Sequence, residues 1–317
     1  MNDQLFVSFE KSVELELIKF GDFNFSKNIL LFCTLRNECV RMPYFLEYYR
    51  NLGVEHFFFV DNNSTDGFVD LVKDDQDVTL YHTNHSYKDS NFGMDWLNFL
   101  LNKYGSGKWC ITCDPDEFVV YPFCESLKLD QLTKILDANN QISLYGTMLD
   151  MYPKEDEVYK SGMNPLDCSP YFDKTGYTYK PNEYCDSVWA QGGVRSRLLF
   201  SDDPDGAPAL NKIPLVKWSQ DFYYISSMHH GFPNQMNASY KSGITGAVLH
   251  FKFLSTFKEK VEEEIQRKEH YNDSSEYKQY NSMIDNLEFY DPKFSVRYIN
   301  TEQLIHLNLI KYDIPQA

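Results

Sequence analysis

Strand-like and helix-like segments alternate along this chain from residue 28 onward. That alternation predicts an α/β fold, a mostly parallel central sheet with helices on both faces. Two further observations agree. The first strand-like runs, Ile29 to Cys33 and Phe57 to Val60, are continuously apolar, as strands buried on both faces are. Three runs also end in polar clusters: Thr34-Leu-Arg-Asn-Glu38, Asp61-Asn-Asn-Ser-Thr-Asp66 and Asp114-Pro-Asp-Glu117. In a parallel sheet all three would lie on one rim, beyond the carboxyl ends of the strands, where such folds bind ligands.

Residues 1–27 show no periodicity and read as an N-terminal extension or edge hairpin. Ile29 to Thr34 is a strand, and Pro43 to Leu52 a helix with proline in its first turn and Gly53 just past its end. Val54 to Asp61 is a strand, and Asp66 to Val72 a short helix behind the cap residues Ser64 and Thr65. Val78 to Thr83 is the third strand. Phe92 to Tyr104 carries apolar residues at 92, 96, 97, 100, 101 and 104, the stripe of a helix, and Gly105 closes it. Trp109 to Asp114 is the fourth strand, Leu127 to Ala138 a helix and Ile142 to Tyr152 a strand. Residues 153–190, rich in Pro, Gly, Tyr, Asn and Asp, read as a functional loop or lid. Short strands are expected near Gly193 to Phe200, Ile213 to Trp218, Phe222 to Ser226 and Ala247 to Phe253. From about Thr256 the chain is charged and helical, with Glu262 to Lys268 a solvated face.

With 317 residues, 43% of them hydrophobic, the chain can bury a large core. A formal net charge of −16 argues against nucleic-acid binding through overall charge. A phosphorylated ligand would need a cation or a local basic cluster to offset that field. No apolar run is long enough to span a membrane, and Met1-Asn-Asp-Gln-Leu5 does not resemble a secretory signal. The expected location is cytoplasmic, with peripheral attachment to a membrane left open. The cysteines, at 33, 39, 110, 113, 124, 168 and 185, are odd in number and scattered, unlike a disulfide framework. Cys110 and Cys113 are three apart on a strand, so their thiols would point to opposite faces.

The densest chemistry lies in Trp109-Cys-Ile-Thr-Cys-Asp-Pro-Asp-Glu-Phe118. A strand running into Asp114-Pro-Asp116 presents two carboxylates at the mouth of the sheet. Mg²⁺ and Mn²⁺ prefer such oxygen ligands and bridge them to phosphates.

Four motifs together resemble GT-A-fold glycosyltransferases, of the family 2-like type found in bacterial polysaccharide and lipopolysaccharide gene clusters. They are Leu31-Phe-Cys-Thr-Leu-Arg-Asn-Glu38, Phe58-Phe-Val-Asp-Asn-Asn-Ser-Thr-Asp-Gly67, Cys113-Asp-Pro-Asp-Glu-Phe118 and Leu249-His-Phe-Lys-Phe253. The resemblance spans about residues 28–255. It implies a Rossmann-like domain with a nucleotide-binding half at 28–122 and an acceptor half at 123–255, followed by a C-terminal helical segment at 256–317.

The resemblance implies roles as well. Thr34, Arg36 and Asn37 would line the nucleotide site, and Asp61 and Asn62 would meet base and ribose, Asn62 standing where the family often has a second Asp. Asp114 and Asp116, with His250, would hold Mn²⁺ or Mg²⁺ against the donor diphosphate. The implied activity is metal-dependent transfer of a hexose from a nucleotide sugar, with UDP-hexose the first expectation. The acceptor would be a glycan or glycolipid, the configuration would invert, and the context would be surface polysaccharide or lipopolysaccharide synthesis.

Such transfer breaks the bond from the anomeric carbon to a diphosphate oxygen, so charge grows on the leaving group and a cation stabilises it. Arg195, Arg197 and Lys212 are candidate second cations. Inversion needs a carboxylate base on the acceptor side. Asp150, Glu183, Asp186 and Asp221 are candidates, with Asp186 and Asp150 first. His229-His230 can turn at most one ring to the site, and the aromatics Tyr171, Phe172, Tyr177, Tyr179, Tyr184 and Trp189 suit either acceptor rings or a small core of their own. Three competing readings stand: a sugar nucleotidyltransferase, a phosphatase with an Asp-x-Asp nucleophile, and a carbohydrate-binding module that has lost catalysis. Arg36-Asn-Glu-Cys-Val-Arg-Met42 has no glycine, whereas a triphosphate-gripping loop should be glycine-rich. A phosphatase would carry its Asp-x-Asp after the first strand, not the fourth.

Overall fold

The computed structural model describes residues 3–155, 157–183, 185–241, 243–267, 269 and 288–313. Its centre is a nine-stranded sheet. In chain order its strands are β1 (Glu16–Lys19), β2 (Ile29–Leu35), β3 (His56–Asp61), β4 (Val78–His82), β5 (Trp109–Thr112), β6 (Glu117–Val120), β7 (Ser143–Asp150), β11 (Asn211–Lys217) and β14 (Gly246–His250). Their spatial order is β1-β4-β3-β2-β5-β11-β7-β14-β6. Strands β4, β3, β2 and β5 are parallel neighbours. Strand β11 enters antiparallel between β5 and β7, which restores the common direction in β7 and in its parallel neighbour β14. Six strands thus end on one rim, while β1, β6 and β11 run the other way.

The expected α/β architecture is therefore present, with a mixed second half. That mixture matters, because the antiparallel β6 and β11 begin at the rim where the parallel strands end. Their first residues, Glu117 and Asn211-Lys212, are delivered to it.

Helices cover both faces, as the continuous apolar strands require. On one face α2 (Met42–Leu52) packs Met42, Phe45, Leu46 and Tyr49 over Leu31, Phe57, Phe59 and Ile111. It ends at Gly53 with φ 110°, left-handed backbone that suits glycine. Two tyrosines of α2 also hold the antiparallel strand, Tyr48 donating to Val119 O at 2.7 Å and Tyr49 to Glu117 O at 2.9 Å. On the other face α4 (Met94–Tyr104) buries Trp96, Leu97, Leu100 and Leu101 with Leu30, Phe32 and Phe58. Phe32 and Phe58 stack at 4.9 Å. Burying each such side chain contributes about 1.5–3 kcal/mol before conformational entropy is set against it. Cys110 belongs to the core of this face and Cys113 to that of the other, so the pair does not converge.

Several expectations change. Residues 3–27 are woven into the domain: α1 (Asp3–Lys11) packs on α4, β1 pairs with β4, and Glu14 accepts from Trp96 Nε1 at 2.9 Å. The expected lid contains a short helix α6 (Pro165–Cys168), strand β8 (Tyr171–Asp173) and a hairpin of β9 (Thr178–Asn182) with β10 (Ser187–Gln191). The expected strand at Gly193 to Phe200 is instead a π-helical turn, Arg195–Leu199, closed by Phe200 N donating to Arg195 O at 3.0 Å. Of the C-terminal segment, α7 (Phe257–Arg267) lies across the rim, and Ser295–Arg297 pairs with β8. The charged face extends to Lys268, which falls outside the described residues. Among the described residues no helix is long and apolar enough to cross a membrane.

Candidate active site

Register brings the chemistry together. The last residues of β7 and β14, Asp150 and His250, are direct partners, and His250 is also the partner of Glu117 at the start of β6. Phe251 N, just past β14, donates to Asp116 O at 2.8 Å. The Asp114-Pro-Asp116 turn is thereby tied to the end of β14, 134 positions away in sequence for Asp116 and His250.

His250 Nδ1 lies 2.6 Å from Asp150 Oδ1, and His250 Nε2 lies 3.3 Å from Asp116 Oδ2. Arg195 holds Asp150 from behind with two bonds, Nε to Oδ2 at 2.9 Å and Nη2 to Oδ1 at 2.7 Å. Asp150, Arg195 and His250 are all buried, whereas the Asp116 side chain is 23% exposed. The row therefore runs from interior to surface: Arg195, Asp150, His250, Asp116. Burial acts to lower the His250 imidazole, but Asp116 and Asp150 outweigh it and push it up to about 9. Burial acts to raise both carboxyls, and both are nevertheless held far below the usual carboxylate range, Asp116 by His250 and Asp150 first by Arg195.

A second cluster lies beside the first. Lys212 Nζ, on β11, is 2.8 Å from Glu117 Oε1 and 3.5 Å from Asp114 Oδ2. Asp114 N donates to Glu117 Oε2 at 3.2 Å. Lys212 and Glu117 are buried, but the Asp114 side chain is 39% exposed and opens to the rim. Burial acts to lower the Lys212 ammonium, and Glu117 followed by Asp114 reverses this and raises it.

These positions correct several expectations. Asp150 is not poised as a base, because its two oxygens are held by Arg195 and His250. Arg195, expected on the diphosphate, is buried against Asp150. Lys212 is buried between Glu117 and Asp114, so it acts on the rim through Asp114. Arg197 is turned to Asp173 at 2.8 Å. Asp186 is exposed in the β9–β10 turn, paired with Lys241. Its neighbour Cys185 accepts from Asn237, in the 3-10 helix whose Met236 and Ser239 contact Ser143, at the opposite end of β7 from Asp150. Glu183 shares that turn. Asp221 follows the far end of β11, by Lys217 and its partner Trp109. Of the four candidate bases only Asp150 joins the cluster, and there both its oxygens are engaged; Glu183, Asp186 and Asp221 lie away from it.

The nucleotide candidates do converge on the rim. Thr34 ends in a buried Oγ1 with no hydrogen-bond partner among the described residues. Asn37 adopts φ 52° and accepts from Thr65 N at 2.8 Å. Arg36 Nη1 donates to Asn62 O at 2.8 Å. Asn62 Nδ2 donates to His85 O at 2.9 Å, tying the rim to the loop after β4. Asp61 is buried and receives Ser64 N at 3.2 Å, with His82 Nδ1 3.0 Å away, so its carboxylate is already occupied by the protein.

His229 Nδ1 bonds Asn211 O at 2.6 Å, and burial, followed by Lys212, lowers its ring to about 3. His230 stacks on Trp189 at 6.0 Å. Of the loop aromatics, Phe172 is core and Tyr177 bonds Asp173 O, while Tyr179 and Trp189 keep exposed faces. Tyr184 lies outside the described residues.

No family model matches the chain, and no curated protein sequence matches it. Solved structures give only distant likenesses. The inositol-1-phosphate CTP transferase from T. maritima is 12% identical, with a TM-score of 0.31 over 76% of this chain and 95% of its own. HddC from Yersinia pseudotuberculosis is 9% identical, with a TM-score of 0.31 over 68% and 80%. A nucleotidyl transferase from Methanothermobacter thermautotroptrophicus is 9% identical, with a TM-score of 0.23 over 58% and 78%. At such scores the activity has to be argued from the site itself.

The donor set suits a divalent cation. Among the described residues there is no group of three or more His, Cys, Asp or Glu side chains that could hold a metal ion. Magnesium-type sites are seldom complete cages, since one or two protein ligands leave room for water and substrate phosphates. The 3.3 Å contact between Asp116 Oδ2 and His250 Nε2 is an ion pair, and the same two atoms would be available to a cation once the imidazole gave up its Nε2 proton. Asp150 on the other ring nitrogen is the carboxylate partner that ligating histidines ordinarily have. Sequence reasoning missed Glu117 as the partner of Lys212, and Arg41, which bonds Phe251 O at 2.8 Å and Glu38 at 2.9 Å and so braces the end of β14. Glu117 lay within the quoted motif. Nothing local marked Arg41.

Proposed function

We propose that the rim binds a nucleotide sugar and that the protein is a metal-dependent glycosyltransferase, moving a hexose to a glycan or glycolipid acceptor. The observation that carries the reading is the pair of Asp116, partly exposed at the rim, and His250, backed by Asp150 and Arg195. The motif resemblance supports it independently.

Asp116 and His250 would hold Mn²⁺ or Mg²⁺, which when bound supplies Lewis-acid stabilisation to the departing diphosphate. The protein's own part is orientation. Asp150 fixes the imidazole so that Nε2 faces Asp116, and Arg195 keeps Asp150 ionised. Lys212 and Glu117 fix Asp114, leaving one carboxylate oxygen open to the sugar or ribose hydroxyls. Thr34, Arg36 and Asn37 would meet the nucleoside. With Asp150 and Asp186 accounted for elsewhere, we assign no base.

Synthesis of a nucleotide sugar from a sugar phosphate and a nucleoside triphosphate is the competing reading, and two of the distant structural likenesses bear nucleotidyl- or CTP-transferase names. The glycine-free loop Arg36 to Met42, which contains Glu38 and lies against Glu263, is poorly suited to a triphosphate. One experiment separates them. Purified protein with Mn²⁺ is given UDP-, GDP- and CMP-sugars, or nucleoside triphosphates with hexose 1-phosphates. Release of free nucleotide from a nucleotide sugar supports glycosyl transfer. Pyrophosphate release from the second mixture, with none from the first, replaces it by nucleotidyl transfer.

A further inference from the structure

Helix α7 lies on the residues expected to receive the nucleotide. Its Glu263 accepts from Asn37 Nδ2 at 2.9 Å and pairs with Arg36 at 3.5 Å. One turn earlier, Lys260 reaches Glu38 at 3.0 Å and donates to Arg36 O at 3.0 Å. One turn later, Arg267 donates to Asn62 Oδ1 at 3.4 Å. Positions 260, 263 and 267 share one helical face, so a single face of α7 engages the polar ends of both β2 and β3.

The helix is anchored by buried Phe257 and Val261, which pack with Val194 and Leu199 beside the Arg195 turn. Its attachment to the rim is polar. Partly exposed ion pairs of this kind contribute little each. Such contacts can open and reform, whereas the apolar anchor holds.

We propose that α7 is an autoinhibitory latch over the nucleotide rim: Glu263 takes the hydrogen-bond positions of Asn37 and Arg36 that a nucleotide would use, and binding requires this face to release. The proposal rests on the reading of the rim as a nucleotide site. The released state keeps Phe257 and Val261 seated and exchanges the pairs of Lys260, Glu263 and Arg267 for water. A carboxylate over the site also repels a diphosphate, so the latch works by occupancy and by charge together.

Two substitutions of opposite charge separate occupancy from charge alone. Glu263→Gln weakens the latch and removes a negative charge. Lys260→Met weakens the latch and removes a positive charge, which by simple attraction would make anion binding worse. The full-length protein and both variants are titrated with UDP, GDP and CMP, each with Mn²⁺, by calorimetry. The latch predicts tighter binding by both variants, about two- to fivefold for loss of one such pair. Tighter binding by Glu263→Gln with weaker binding by Lys260→Met overturns the latch and leaves only charge. Weaker binding by both also overturns it, making α7 part of the nucleotide site. Unchanged binding by both overturns it as well. No binding of any of the three nucleotides by any of the proteins overturns the underlying nucleotide reading.

Discussion

His250 and Asp150 end adjacent parallel strands in register, and Nδ1 of one lies 2.6 Å from a carboxylate oxygen of the other. In the proposed site Asp150 is a positioning residue. Asp150→Asn should lower Mn²⁺ affinity about 10–100-fold, the usual effect of losing the carboxylate behind a ligating histidine. It also leaves buried Arg195 without its countercharge, at a cost of about 3–5 kcal/mol. Mn²⁺ binding by calorimetry, beside a urea melt of the apoprotein, reads the two effects separately. Unchanged Mn²⁺ affinity in a folded variant would remove Asp150 from the site.

Asp116 and His250 should fail together. Asp116→Asn keeps the shape of the side chain but weakens its hold on a cation, and His250→Ala removes the other ligand. Each should abolish Mn²⁺-dependent binding of UDP while leaving far-UV circular dichroism unchanged. If His250→Ala unfolds the protein and Asp116→Asn binds Mn²⁺ normally, the pair is a structural ion pair and the metal assignment falls.

Lys212 and Glu117 are a buried pair delivered by the first residues of two strands that run the same way. Removing one partner strands the other, so Lys212→Met should destabilise by about 3–5 kcal/mol. The double variant Lys212→Met/Glu117→Gln has no stranded full charge and should recover part of that loss. Equilibrium urea unfolding of the four proteins in the cycle tests this. A double variant less stable than Lys212→Met would contradict it.

How much of this was legible in the sequence depends on how local each cause is. The four parallel strands and the Asp-x-Asp rim showed because continuous apolar runs and strand-end polar clusters are local patterns. The corrections come partly from long-range pairing and partly from local geometry that shows no regular pattern. Lys212 looked like a surface cation because nothing nearby shows that β11 is inserted between β5 and β7. Arg195 sits in a turn whose apolar residues Val194 and Leu199 are five apart, a π-helical spacing rarely used in sequence reading. Strands β9 and β10 escaped notice because β9, Thr178-Tyr-Lys-Pro-Asn182, is largely exposed and carries a proline, so it shows no alternation. The His250 pairing was legible only through the motif resemblance, since 100 residues separate it from Asp150.

Away from the site, buried His56 gives the apoprotein a distinct pH response. Its Nε2 lies 2.8 Å from Thr79 Oγ1, and its Nδ1 lies 3.3 Å from Lys27 Nζ, so the neutral ring donates to the hydroxyl and accepts from the ammonium. Burial and then Lys27 lower its pKa to about 4, with Lys19 acting the same way and Asp77 opposing. The unfolded chain, with histidine near its ordinary value of about 6.5, takes up the proton first. The stability contributed by neutral His56 is therefore fully present above about pH 6.5 and is lost as pH falls from there to about 4. Over that window His56→Gln should show a flatter fall in stability than the wild-type protein, by roughly 2–3 kcal/mol at most. Urea midpoints from pH 7.5 to 4.5 on both proteins measure the difference, and parallel curves would show that the ring does not titrate as its burial requires.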